Sequence, residues 1–319
     1  MKLQILVPQY NETEDIIKNL LDSIEIQQNV DKNDIGVIIV NDGSNTHLSK
    51  KFLDGYSYRI DYYLNEHKGV SATRNSCLFN STADYIMFCD ADDMFYHVYA
   101  LQTIFDKIER GFDVLISPFI EEFKEKDKVG RYYIIQDDET TFVHGKVYRK
   151  QYLIENNIFW NEELTLHEDV YFNTLVKNFA KSIERCENPL YLWKWRDDSV
   201  CRKDENWIMN THEHFISSRR ALVNELIQRN SLIAAQQEVF STVFRTYIVM
   251  NTSQWISLVD EDYKSKIKNS IKAFYFEFET LFNSISKIDS FNLGNQEKLK
   301  LGKSIAGTNF IKWLEYIRN

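Results

Sequence analysis

Asp90-Ala91-Asp92-Asp93 puts three carboxylates within four residues, directly behind the apolar run Tyr85–Cys89. One Asp at such a junction is explained by the free backbone N–H groups at a helix start. Three are not, because like charges raise one another's cost of ionisation. A divalent cation removes that cost. Oxygen ligands suit Mg²⁺ or Mn²⁺, and Mg²⁺ is commonly shared between one or two carboxylates and the phosphates of a substrate. A second acidic pair, Glu168-Asp169, opens the periodic stretch "HEDVYFNTLVKNF". An acidic helix start is favourable with the helix dipole, and the same helix end would hold the pair rigidly. Cationic side chains follow in "HKGVSATRN", with Arg74, and in "YLWKWRDDSVCRK", with Arg196, Arg202 and Lys203. An Arg fork donates two bonds at once and fits oxyanions. By itself Arg74 reads first as a helix-surface charge, and the later cations read equally as a solvated basic loop.

Elements must bring these groups together. The first 120 residues alternate between two periods. "LQILV" (Leu3–Val7), "GVIIV" (Gly36–Val40), "RIDYYLN" (Arg59–Asn65), "YIMFCD" (Tyr85–Asp90) and "FDVLISPF" (Phe112–Phe119) are apolar or β-branched and predict strands. Between them Ile16, Ile17, Leu20, Leu21 and Ile24 recur on one helical face, "GVSATRNSCLF" (Gly69–Phe79) reads as a helix, and "YALQTIFDKIERG" (Tyr99–Gly111) is an amphipathic helix stopped by Gly111. Strands alternating with helices imply an α/β fold with a mostly parallel sheet covered on both faces. Ligands of such sheets sit at the carboxyl ends of the strands, where "DADD" lies. The rhythm then changes. "FKEKDKVGRYYIIQ" (Phe123–Gln136) predicts solvent-facing antiparallel strands, and after about Asp204 the pattern is helical. Ile267, Ile271, Phe274, Phe278, Leu281 and Ile285 form one such stripe, a packing face within the chain or between copies. Phe274, Tyr275, Phe276 and Phe278 on more than one face would suit an interface.

Five motifs stand in a recognisable order: "VPQYNE" (Val7–Glu12), "VNDGS" (Val40–Ser44), "HKGVSATRN" (His67–Asn75), "DADD" (Asp90–Asp93) and "HED" (His167–Asp169). Together they resemble a family 2 inverting glycosyltransferase of the GT-A fold. The resemblance spans roughly the first two-thirds of the chain and leaves the helical region outside it. It implies a Rossmann-like catalytic domain over residues 1–204, with a nucleotide-sugar half of about 1–95 and an acceptor half of about 96–204, followed by a helical domain over 205–319. It further implies transfer of one sugar from a UDP-sugar to a hydroxyl of a cell-envelope glycan, teichoic acid or lipid-linked acceptor, with Mn²⁺ or Mg²⁺ as cofactor. The donor would be a UDP-hexose or UDP-N-acetylhexosamine.

Residue by residue, the resemblance places Pro8, Tyr10 and Glu12 at the nucleotide, with the Tyr10 ring as a stacking face for uracil. Either Asn41 or Asp42 meets the base, since the family often has two Asp where this chain has Asn41-Asp42. His67 stands where the family has Asn, and Cys77 where it often has Gly; Gly69 and Arg74 match. Arg74 would pair with the diphosphate or hold the Asp cluster. Asp90 and Ala91 would meet the ribose side, and Asp92 with Asp90 the metal, while Asp93 caps the following turn. Asp169 would be the general base, and Glu168 would bind acceptor or donor sugar. "HGKVYRK" (His144–Lys150) resembles the opening of the acceptor half. Arg196, Ser199 and Arg202 would close over the diphosphate, and His212 or His214 would offer a further metal ligand or serve structure alone.

Composition sets limits. A formal net charge of −9 argues against a general nucleic-acid binder. Cys77, Cys89, Cys186 and Cys201 form no C-x-x-C pair, which predicts reduced thiols. The run Leu3–Val7 is too short for a secretory core and no run approaches a membrane span. The expectation is a cytoplasmic protein, compatible with work at the inner membrane face and with a homo-oligomer built through its C-terminal helices. Two rivals are a nucleotidyltransferase on a related sheet and a non-catalytic scaffold descended from a transferase. The first lacks a Gly-rich basic N-terminal loop; the second would have lost D-x-D or Asp169, and both are present.

Overall fold

The β-branched runs at the start of the chain become the centre of a seven-stranded sheet. The structure, a computed structural model, describes residues 1–125, 128–135, 141–197, 199, 207–301 and 310–319. It divides into two units, Met1–Ser199 and Val200–Asn319.

In the first unit the strands are β1 (Leu3–Gln9), β2 (Ile35–Asp42), β3 (Arg59–Asn65), β4 (Tyr85–Phe88), β5 (Met94–Phe95), β6 (Val114–Ile116), β7 (Phe119–Glu125), β8 (Lys128–Ile135), β9 (Lys146–Arg149), β10 (Ile183–Arg185) and β11 (Tyr191–Trp193). The helices are α1 (Glu14–Glu25), α2 (Lys50–Leu53), α3 (Val70–Asn80), α4 (Ala100–Ile108), α5 (Lys150–Glu155) and α6 (Glu168–Phe179). The main sheet runs β10-β6-β9-β4-β1-β2-β3. β1, β2, β3 and β4 pair in parallel, whereas β9 is antiparallel to both β4 and β6. β1, β2 and β4 are buried on both faces, as a parallel sheet between helix layers requires. α1 seats Ile17, Leu20, Leu21 and Ile24 in that core. The α/β architecture expected from the alternation is therefore present, with the loops after β1, β2 and β4 side by side at the carboxyl edge.

The stretch Phe112–Phe119, read as one strand, divides in two. β6 stays in the main sheet, and β7 starts a second sheet of order β5-β11-β7-β8. The division falls at Ser117-Pro118, where Pro118 has no N–H to continue a ladder. Gly145 approaches closely: at φ 69 a Cβ there would stand 2.5 Å from the Ser117 hydroxyl, so the crossing of the two segments needs glycine. β7 and β8 pair antiparallel, and β8 is an exposed edge strand, as the alternation predicts.

The second unit holds α7 (Trp207–Asn210), α8 (His212–Gln228), α9 (Leu232–Met250), α10 (Ser253–Leu258), α11 (Glu261–Glu277), α12 (Glu279–Ser284), α13 (Lys287–Leu301) and α14 (Phe310–Arg318). Its core is aromatic: Phe240, Phe244, Tyr247, Phe282, Phe310 and Trp313 lie in successive ring contacts. Ile267, Ile271, Phe274 and Phe278 are buried as their spacing predicts. Phe274, Tyr275 and Phe278 pack inside the unit, which leaves Phe276 as the exposed ring of that group. Among the described residues no helix is long and apolar enough to cross a membrane. Cys77, Cys89 and Cys186 are buried free thiols; Cys201 lies outside the described residues.

Candidate active site

The loops after β1 and β2 are tied to each other before they can meet anything else. Asn11, at φ 69, donates its backbone N–H to the Ser44 hydroxyl at 2.8 Å. The Asn41 side chain is used up in the same loop. Its carbonyl accepts from the Ser44 N–H at 2.7 Å, and its amide donates to the Thr46 carbonyl and the Tyr62 hydroxyl, each at 2.9 Å. Asp42 is held from the other side. Its two carboxylate oxygens accept the N–H groups of Lys68 and Gly69 at 2.8 and 3.0 Å, and the His67 Nδ1 lies 2.9 Å away. Gly43 makes this approach sterically feasible, since a Cβ there would lie 2.6 Å from the His67 nitrogen. The His67 ring then stacks on Tyr10, centroids 4.5 Å apart and 24° between planes. Tyr10 is half exposed beside Pro8 at the end of β1. Gly69, at φ 92, caps α3 and leaves open space where a side chain would be.

The second group is the D-x-D turn after β4. Asp93 is fully buried. It accepts the Tyr191 hydroxyl at 2.6 Å and the Lys194 N–H at 2.8 Å, while the same Tyr191 oxygen accepts the Asp90 N–H at 3.1 Å. Asp93 thus fastens the turn to β11 and the segment after it. Ala91 is buried under the turn. Asp92 meets the Arg196 guanidinium at 3.1 Å, and Arg196 also reaches Glu12 at 3.5 Å. Ser199 joins this segment through its N–H on the Arg196 carbonyl at 3.3 Å. Arg202 and Lys203 lie outside the described residues.

The third group closes the site. Arg74 points from α3 with Nη1 2.9 Å from Glu168 and Nη2 3.2 Å from Asp90. Its plane lies over the Trp160 ring at 4.5 Å, and Trp160 in turn stacks on Phe172 at 4.2 Å. The Asn75 side chain fixes Trp160 by accepting its N–H and donating to its carbonyl, both at 2.9 Å. One guanidinium therefore joins the D-x-D turn, 16 residues on from Arg74, to the acidic pair, 94 residues on from it. His167, just before the pair, sits in the left-handed region at φ 61, an uncommon backbone state for a non-glycine residue. Asp169 is on the first turn of α6, where its carboxylate accepts the N–H of Val170 at 2.7 Å.

These carboxylates are not in their ordinary electrostatic state. Burial and then the neighbouring Glu168 push Asp169 up to about 8, against the pull of Arg74. Burial raises Asp92 and Glu12, with Asp90 adding to the first and Asp92 to the second. Asp93 is raised well above the usual range by burial, then by Asp92 and Asp90. The Arg74 guanidinium is disfavoured by burial but held charged by Asp90, Glu168 and Asp169. The cluster is thus short of positive charge. Asp90, Asp93 and His144 can each bring one ligand atom within 4.8 Å of the others, a set of hard oxygens and an imidazole that fits a divalent cation.

Sequence reasoning missed His144, Trp160 and Tyr191 as site residues. His144 carried a signal, because it opens the "HGKVYRK" segment. His212 is elsewhere engaged: it is buried with Nε2 2.9 Å from the Thr246 hydroxyl, and His214 is exposed on the same helix.

The glycosyl transferase family 2 model matches residues 4–168, which carry the groups above as far as Glu168 and leave out Asp169 with the rest of α6, β11, the Arg196 segment, His212 and His214. The glycosyltransferase GlyA of Streptococcus pneumoniae is 26% identical over 264 residues, covering 73% of this chain and 35% of GlyA. This chain therefore spans about a third of the length of that relative. Among solved structures, S. aureus TarS 1–349 in complex with UDP-GlcNAc is 18% identical with a TM-score of 0.68, over 95% of this chain and 93% of that one. The mannosyltransferase PcManGT of Pyrobaculum calidifontis, in complex with GDP-Man and Mn²⁺, is 11% identical with a TM-score of 0.51, over 99% and 84%. At such identities the likeness is one of fold.

Proposed function

This chain belongs to glycosyl transferase family 2, and from that membership we propose that it moves a single sugar from a UDP-sugar to an acceptor hydroxyl with inversion, using Mn²⁺ or Mg²⁺. The observation that carries the reading is the Arg74 bridge, which sets Asp90 and Glu168 on one guanidinium and so makes the D-x-D turn and the acidic pair one site. TarS, whose fold the chain shares, is seen with UDP-GlcNAc, which supports a UDP-hexose or UDP-N-acetylhexosamine donor.

In this reading Tyr10 and Asp42 take the uracil: Asn41 spends its amide and carbonyl within its own loop, whereas each Asp42 carboxylate oxygen accepts one backbone N–H and keeps a lone pair for the base. The cation would be held at the turn by Asp90 and Asp92, with the His144 imidazole within 4.8 Å of the Asp90 carboxylate, and it would supply the positive charge that a departing diphosphate needs. Asp93, with both oxygens hydrogen-bonded, orients the turn. Arg196 moves from Asp92 to the diphosphate when donor and cation arrive. Asp169 takes the proton of the acceptor hydroxyl; the hydroxyl oxygen forms its bond to the anomeric carbon on the face opposite UDP, and the bond to UDP breaks with its electrons leaving on the phosphate. Its raised pKa suits this task, since a base works best when its proton affinity lies near the working pH. Glu168, anchored by Arg74, faces the sugar. The acceptor is a cell-envelope glycan, teichoic acid or lipid-linked chain, which places the enzyme in the cytoplasm or at the inner face of its membrane. Residues 1–204 form the catalytic part of this proposal and 205–319 a helical domain.

The test is a panel of UDP-, GDP- and CDP-sugars with Mn²⁺, read by release of nucleoside diphosphate with and without glycan acceptors. UDP release from a UDP-hexose or UDP-N-acetylhexosamine is expected. Release of pyrophosphate from UTP instead would point to a nucleotidyltransferase, and no thermal shift with any nucleotide would point to a scaffold.

A further inference from the structure

The second sheet carries a row of rings that begins at the D-x-D turn and leads away from it. In β11 the alternate residues Tyr191 and Trp193 share a face, and Trp195 follows at the same spacing. The register places Tyr191 opposite Phe119 of β7, Trp193 opposite Glu121, and Tyr133 of β8 also opposite Glu121. Phe123 comes next on the same face of β7. Ring contacts agree with the register: Phe119 to Trp193 at 6.4 Å, Phe123 to Trp195 at 5.7 Å and Phe123 to Tyr133 at 5.8 Å. The row is graded in exposure. Tyr191 and Phe119 are buried, Trp193 and Trp195 are half-buried, and Phe123 and Tyr133 are 41% and 49% exposed. Its inner end is the hydroxyl that holds both Asp90 and Asp93. From Tyr191 to Trp195 the row extends about 13 Å, at about 3.3 Å per strand residue.

A soluble protein does not ordinarily keep such rings on the open part of a sheet, and an exposed aromatic patch marks a binding surface. Aromatic faces with a polar rim suit ligands that are apolar on one side and hydroxylated on the other. A pyranose ring has that character: its C–H faces stack on an aromatic plane and its hydroxyls reach outward. Glu121 stands in the row between Trp193 and Tyr133, and the Arg131–Glu125 pair borders Phe123, so hydrogen-bonding groups flank the rings. The inner rings Tyr191 and Trp193 are covered by His144 and Phe142, but the outer ring Trp195 adjoins Arg196, which pairs with Asp92, so a ligand on the outer rings also reaches the reacting centre.

We propose that this aromatic row on the β11-β7-β8 face is a subsite for the saccharide chain of the acceptor, holding sugar units beyond the one that reacts. The proposal rests on the transferase reading of the same site. The outer rings Phe123, Tyr133 and Trp195 bind the distal units, and the buried inner rings Tyr191 and Phe119 fix β11 and β7 beneath them.

The experiment compares wild type with Phe123→Ala/Tyr133→Ala on an immobilised array of neutral and anionic oligosaccharides, and measures UDP binding with Mn²⁺ on the same samples. Both residues are exposed and lie outside the reacting cluster. Ile134→Ser, on the opposite face of β8, serves as the control for folding and for nonspecific loss. Wild type should retain a set of oligosaccharides of several units, bind the corresponding monosaccharides far more weakly, and lose about tenfold or more in affinity in the double variant, about 1.4 kcal/mol or more. UDP binding should be equal in all three proteins. Retention of no glycan by wild type, or equal retention by the double variant, overturns the subsite while leaving the donor reading intact if UDP still binds. Glycan retention without UDP binding sinks the donor reading and keeps the subsite. A wild-type mass in solution twice that of the double variant would assign the face to a second copy of this chain and overturn the subsite.

Discussion

As the general base proposed above, Asp169 combines two demands that pull in opposite directions. A base in a dry site must be near its acceptor, yet burial and Glu168 make its charge costly. Asp169→Asn should lower transfer by about 10²- to 10⁴-fold, the usual worth of a general base, while donor binding by calorimetry stays near wild type. Transfer at near the normal rate would remove Asp169 from that role. Two pH effects follow from the raised pKa. The rate per encounter should climb through neutral pH, with its rising limb near 8 and not near 4, in the range where the carboxylate loses its proton. For stability the sign is the reverse. A group whose folded pKa lies above the unfolded value contributes fully below the ordinary carboxylate range, about 4, and that contribution is lost as pH rises towards about 8. The Asn variant has no such loss, so its melting temperature should exceed that of wild type by a margin that widens over this window. Equal melting curves from pH 4 to 8 would contradict the burial argument.

At the level of elements, two ties hold the site and can be cut separately. The Arg74 fork joins α3 to the D-x-D turn and to α6. Arg74→Ala would leave Asp90 and Glu168 without their shared cation, and should cost about 3–5 kcal/mol in a urea titration. Arg74→Lys keeps the charge but cannot span two carboxylates, so it should recover part of the stability and little of the activity. Tyr191→Phe removes one oxygen that serves both Asp93 and the Asp90 N–H. It should cost about 1–3 kcal/mol, since a buried acceptor is left unpaired. Unchanged midpoints for either variant would show that its tie does not hold the site. The elements differ in how far the chain declares them. β1, β2, β3, α1 and α4 follow from apolar runs or stripes because burial on a parallel sheet or a helix face writes a local period. β9, four residues with a charge at each end, carries no period; its place between β4 and β6 is set by partners far away in sequence. At Ser117-Pro118 the chain does carry a local signal, Pro118, but the apolar residues on either side, Val114–Ile116 and Phe119-Ile120, read as a single run. In the site, Asp90, Asp92 and the Glu168-Asp169 pair announce themselves by clustering like charges. The Asp93–Tyr191 bond, the Arg196–Asp92 pair and the Trp160 stack under Arg74 do not, because each joins segments with no shared local pattern.

Across the molecule, charge balance decides how donor and cation must arrive. The chain carries a formal net charge of −9, and the site adds Glu12, Asp90, Asp92 and Asp93 around a guanidinium that already serves Asp92. A nucleoside diphosphate is itself an anion, so it should bind poorly to this face alone. A divalent cation bound here would offset the repulsion from Asp90 that, after burial, raises Asp92, and would free Arg196 for the phosphates. UDP and Mn²⁺ should therefore bind with strong mutual dependence. In a thermal scan, neither UDP in EDTA nor Mn²⁺ alone should match the pair. UDP at about 100 times its dissociation constant with Mn²⁺ should add about 2.7 kcal/mol of stability. Turnover should stop in EDTA and return with Mn²⁺ or Mg²⁺, and Asp92→Ala should abolish the cation-dependent part of the UDP shift while leaving the apo fold at least as stable. Full turnover in chelator, or an equal UDP shift with and without the cation, would mean that Arg196 and its neighbours neutralise the diphosphate by themselves, and the acidic turn would then need another explanation than the metal.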